Sequence, residues 1–236
     1  MVRSPSFFRA AGSLLILEGL LIYIPLIVLG SAIGWPASLG DPPSQVLPAI
    51  VEQSTAVTGG YLVYLAYSVL FYPMSLLVVN CLVANPGNTP YLNMAIGFGL
   101  ASTITRVLGI IRWLVAMPAL ARVYEDPGSS ELTRTVVEVV YQVLNDYAGS
   151  IGEVLGVGLF AALWLTIVSA VMWRTGSLPR WIALWGMVAA LLQLILLLEL
   201  TGIDLGGFIT LSGVVLHLWF LAAGILLFRK RIPVVV

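Results

Sequence analysis

The sequence predicts an all-α fold, a polytopic transmembrane bundle of six helices, on three observations. The 236 residues are 60% hydrophobic and only 9% charged, against about 25% charged in an ordinary soluble domain. Six stretches reach the roughly 20 apolar residues that cross about 30 Å of hydrocarbon. Turn-forming clusters such as "GWPASLGDPP", "NPGNTP", "TGSLPR" and "TGIDLGG" lie between them, where Pro and Gly end helices and the backbone can return to water.

The first helix is expected from Phe8 to Gly30. Arg3 and Arg9 before an apolar run, with "GSA" after it, resemble a secretory signal peptide. The run is longer than a signal core and contains Glu18, so it reads as a retained helix. The loop from Trp35 to Gly59 has room for a short helix near "SQVLPAIVEQ". The second and third helices are expected over 59–84 and 91–118, and Pro25 and Pro73 predict kinks in the first and second. Cys81, the single cysteine, excludes an internal disulfide and a thiol-pair redox mechanism.

Between the third and fourth helices, "SSELTRTVVEVVYQVLNDY" places Glu131, Arg134, Glu138, Gln142 and Asn145 at helical spacing among valines. This predicts an outer amphipathic helix, capped by Ser129 or Ser130, that rests on the bilayer or covers a cavity. The last three helices are expected over 151–173, 181–200 and 206–228, giving one integral membrane domain across residues 1–236. "GSLLILEG", "GFGLAS" and "GEVLGVG" supply small residues for close helix packing.

Basic residues near helix ends stay on the cytoplasmic side. Arg3, Arg9, Arg174, Arg180, Arg229, Lys230 and Arg231 flank one face, against Arg122 and Arg134 on the other. Asp41, Glu52, Glu125, Asp126, Glu131, Glu138, Asp146, Glu199 and Asp204 all fall opposite the basic face. The expectation is a multi-pass protein of the bacterial cytoplasmic membrane with both termini inside. No nucleic-acid partner is expected. The expected partners are the lipid bilayer and a membrane protein or second copy of this chain.

Polar side chains inside the helices are few, and each demands a reason. With about 1.5 Å of rise per residue from the cytoplasmic ends, Glu18 lies near 14 Å, His217 near 15 Å, Gln193 near 20 Å, Arg106 near 22 Å and Glu153 near 27 Å. These five are candidates for a buried polar network, with Glu18 close in depth to His217 and within reach of Arg106. Arg112, near 31 Å, falls at the outer interface, where it can snorkel or meet acidic partners. Arg112 or Arg122 can pair with Glu125, Glu138 or Glu153 to hold the outer helix, making Arg112, Arg122 and Glu138 candidate outer-surface contacts.

The network reads either as a device fixing helix register or as a path for a solute, lipid or proton. Catalysis is not expected. Ser212 and His217 share one helix, but five residues at 100° each turn them about 140° apart. A single histidine cannot supply paired haem ligands, and no cluster of His, Cys and carboxylates marks a metal site. No cofactor is expected.

At "RWLVAMPALARVYEDP", "LNDYAGSIGEVLG" and "TGSLPRWIALWG" the chain resembles an uncharacterised family of small bacterial multi-pass membrane proteins, a domain of unknown function. The pattern at Arg112, Trp113, Pro118, Leu120 and Ala121 is the most distinctive part, and the resemblance implies six helices. Relatives tend to carry histidine after the glutamate of "GE"; here Val154 follows Glu153, which speaks against a Glu-His metal or proton role. The resulting expectation is a structural or regulatory component of a membrane assembly. The alternative is a small carrier or binding protein for a lipid, apolar solute or proton.

Overall fold

In the computed structural model, residues 4–83, 89–203 and 205–230 are described. Arg3, Arg231, Asp204 and the expected second-helix end at Ala84 lie outside them. The described residues are mostly helical, without strands, and six helices are long and apolar enough to cross a membrane. The chain is a multi-pass membrane protein.

The first crossing, Pro5–Ile33, is two helices, α1 (Pro5–Leu21) and α2 (Tyr23–Ile33). They break at Ile22, three residues before Pro25. Proline has no N–H for the carbonyl four residues back and its ring crowds that carbonyl, so the break follows from Pro25. A 3₁₀ turn, Ala37–Gly40, leads to α3 (Pro43–Glu52), the short helix expected in this loop. The second crossing is α4 (Ser54–Leu82), unbroken at Pro73.

The third crossing is longer than expected. After α5 (Pro90–Leu114) the backbone leaves the helical region at Val115 and resumes as α6 (Ala116–Glu125). Pro118 repeats the device of Pro25, breaking the helix three residues upstream rather than ending it. The amphipathic segment forms α7 (Glu131–Gly149), where the Ser130 hydroxyl caps the first turn by accepting from the Thr133 N–H at 3.1 Å. No turn separates α7 from the fourth crossing. A π-helical stretch, Ser150–Ala161, carries it directly into α8 (Ala162–Thr175), because isolated glycines weaken a helix by only about 1 kcal/mol each and do not end it. The last crossings are α9 (Arg180–Ile195), extended by a 3₁₀ turn to Thr201, and α10 (Gly207–Phe228).

Two compact units organise these elements. One gathers the described parts of Met1–Leu20, Val69–Ile104 and Val154–Val236. Its core packs Phe71, Trp164, Trp219 and Phe220 largely edge-to-face, with the Trp219 indole N–H donating to the Ile182 carbonyl at 2.9 Å. Here α1 meets α10 at glycine: a Cβ on Gly12 would lie 2.5 Å from the Phe228 nitrogen. The other unit gathers Leu21–Ser68 and Thr105–Glu153. Its core packs Leu47 and Ile50 of α3 with Met117 and Ala121 of α6, and includes Val137 and Tyr141 of α7.

Candidate functional site

The expected network divides between the units. Glu18, Gln193 and His217 belong to the first, where all are buried, Glu18 with no exposed area. Gln193 ties α9 to α10 by donating from Nε2 to the Ser212 carbonyl at 3.0 Å. His217 turns Nδ1 to the Gly213 carbonyl at 2.6 Å and its ring edge to Phe220. A carbonyl only accepts, so Nδ1 carries the proton. Ser212 likewise donates to Ile209 of its own helix. Both of these bonds lie within α10.

Arg106 and Glu153 belong to the second unit together with Arg112, and the three line one cleft. Its free volume, open solvent included, is about 300 Å³, but the enclosed part has room for about one water. Arg106, Gly109, Ile110 and Trp113 stand at i, i+3, i+4 and i+7 on α5 and therefore share a face. Tyr61 and Tyr64 face them from α4, Trp35 from the loop after α2, and Gly152 and Glu153 from the π stretch.

Aromatic rings set the walls. Tyr61 stacks on Trp113 with ring centres 5.0 Å apart and planes 8° from parallel, and Tyr141 meets Trp113 edge-on. Trp35 packs on Tyr64. The Arg106 guanidinium lies 5.6 Å from the Tyr67 ring centre and that of Arg112 lies 5.8 Å from the Trp113 ring centre, contacts each worth about 0.5–2 kcal/mol.

Glycine makes the charged centre possible. A Cβ on Gly109 would lie 2.6 Å from the Gly152 Cα, so the two backbones touch there. A Cβ on Gly149 would stand 3.2 Å from Arg112 Nη2. In that space Arg112 Nη2 reaches Glu153 Oε1 at 3.4 Å, with side chains 5% and 37% exposed. Arg112 therefore turns inward rather than snorkelling, because the glycine backbone leaves room for its guanidinium beside a carboxylate. Arg112 Nε and Nη1, Tyr61 Oη and Tyr141 Oη are buried and find no hydrogen-bond partner among the described residues. Buried polar atoms of this kind call for an explanation.

Of the outer-surface candidates, Glu138 accepts from the Tyr124 hydroxyl at 2.9 Å, fixing α7 to α6, and Arg122 is exposed. The sequence reading missed Tyr61, Tyr64, Trp35 and the Gly109–Gly152 contact. One signal was present: Tyr61, Tyr64 and Tyr67 recur every three residues, a polar-tipped stripe on one helix face. Among the described residues, no three His, Cys, Asp or Glu side chains are grouped to hold a metal ion.

The family described as a domain of unknown function, DUF4386, matches residues 10–229. The chain belongs to the DUF4386 family. That match takes in five crossings of this DUF4386 protein whole, all but the first five residues of the other, and every residue of the cleft. No curated protein and no solved structure matches the chain.

Proposed function

We propose that this DUF4386 protein is a non-catalytic binding protein or small carrier of the bacterial cytoplasmic membrane, working through the Arg112 cleft. One observation carries the reading: a buried arginine and tyrosine present unmatched donors in an aromatic-walled cleft, and ionisable groups placed inside membrane helices mark binding sites and paths. The excess of basic residues at the opposite helix ends supports cytoplasmic termini and a cleft toward the outer face. The test is native mass spectrometry of protein taken from its own membrane into nanodiscs, with released molecules identified. A retained lipid or solute, lost in Arg112→Gln, is the expected result. A protein released empty from its membrane would sink the reading.

One observation favours an assembly component instead. About 20 residues suffice to cross a bilayer, yet the fourth crossing belongs to a 45-residue helical run. Its α7 portion leaves Leu132, Val136, Val139, Val143 and Tyr147 exposed along one side. A stoichiometric protein in the same spectra, with no small molecule, would favour this second reading.

A further inference from the structure

We infer that the cleft takes an oxyanion group, carboxylate or phosphate, borne on an apolar chain, on the Arg112 donors that Glu153 leaves unmatched. The assignment rests on the binding reading above and narrows it to a ligand class. A guanidinium offers two planar two-point forks, Nη1 with Nη2 and Nε with Nη2, that match the oxygens of carboxylate and phosphate. Both forks contain Nη2, the nitrogen that Glu153 holds at 3.4 Å by one long contact. Nε and Nη1 stand unmatched. Nη2 carries two N–H groups, one in each fork, so Glu153 occupies one fork at most and a carboxylate or phosphate can complete the other.

Glu153 leaves Arg112 incompletely matched. It meets the guanidinium by a single contact of 3.4 Å, and its side chain is 37% exposed where that of Arg112 is 5% exposed. Tyr61 adds a third donor. Its ring is pinned on Trp113 and its hydroxyl is buried without a partner.

Size and surroundings select the rest of the molecule. The enclosed space holds about one water, room for one oxygen of a carboxylate or phosphate, so the rest of the ligand lies in the open part of the cleft. Leu108 and Val115 stand four residues before and three after Arg112, so they share its side of the chain, and they are 51% and 62% exposed. They form an apolar stripe along which a chain can lie in lipid while its headgroup turns inward.

The test uses the full chain in phosphatidylcholine nanodiscs, titrated with decanoate, decyl phosphate, decanol, decyltrimethylammonium, acetate and inorganic phosphate, with Trp fluorescence and thermal midpoint as readouts. Decanoate or decyl phosphate should bind at least about tenfold more tightly than decanol or the ammonium. Glu153→Gln should tighten the anionic probes by about tenfold, because the competing charge is gone, and Tyr61→Phe should weaken them about threefold or more with the midpoint unchanged. Both variants keep Arg112, and the thermal midpoint of each without probe separates a loss of fold from a loss of binding. Decanol binding as tightly as decanoate, or Glu153→Gln weakening the anions, would overturn the oxyanion assignment while leaving a binding protein. Acetate or inorganic phosphate binding as tightly as the chain-bearing probes would overturn the membrane source. Silence from every probe, with empty protein in native spectra, would remove both readings.

Discussion

Breaking the Arg112–Glu153 contact from its two sides has unequal consequences, because the arginine is almost fully enclosed and the glutamate is not. Removing one partner of a fully buried pair costs about 3–5 kcal/mol, and the exposure of Glu153 reduces this to about 1–2 kcal/mol for Glu153→Ala. Glu131, exposed in the first turn of α7, contributes about 0.3–1 kcal/mol through the helix dipole. Glu153→Ala should therefore melt several degrees below Glu131→Ala in the same detergent, and equal midpoints would show that the contact holds nothing. Arg106, Arg112 and Glu153 were legible in the sequence because charge inside an apolar run is conspicuous. Tyr61, Tyr64 and Trp35 were not, since one aromatic among many apolar neighbours carries no mark of the face it will occupy.

The elements depend on a few prolines and glycines whose effects differ by context. Pro25 and Pro118 interrupt helices three residues upstream, while α4 continues through Pro73. Between 150 and 161 the chain loosens into a π stretch rather than stopping, and the Ser102 hydroxyl donates to the Gly156 carbonyl there at 2.7 Å. Such π segments gather at functional sites, and this one carries Glu153. The Gly109–Gly152 contact gives an element-level test. Gly109→Val would force the touching backbones apart at a cost of about 1–3 kcal/mol. Gly97→Ala, on the same α5 with nothing near its Cβ, should be neutral or gain up to about 1 kcal/mol of helix propensity. Thermal midpoints of the two variants check this, and a tolerated Gly109→Val would remove the close contact from the account.

For the whole molecule the six crossings make a prediction about sidedness, since an even number returns both ends to one side. Ser4 near the start and Pro127 between α6 and α7 are exposed, and Cys81 is buried. A membrane-impermeant maleimide on intact cells should label Pro127→Cys and reach Ser4→Cys only after permeabilisation. The opposite pattern would invert the orientation, and labelling of both from outside would remove the six-crossing count. The amphipathic segment is the case where period and place separated: its 3.6-residue pattern announced a helix and Ser130 its start, but nothing in it announced that α7 would run on into α8.

Class and crossing number followed from composition and segment length alone, because backbone groups in hydrocarbon must bond within their own helix and so each apolar run of about 20 residues has one available form. The division into two units, the inward turn of Arg112, its meeting with Glu153 41 residues away, and the unmatched donors beside Tyr61 were decided only by tertiary packing. Helical periodicity tells which residues share a face, whereas which face meets which neighbour depends on where glycine backbones touch and where enclosed space is left.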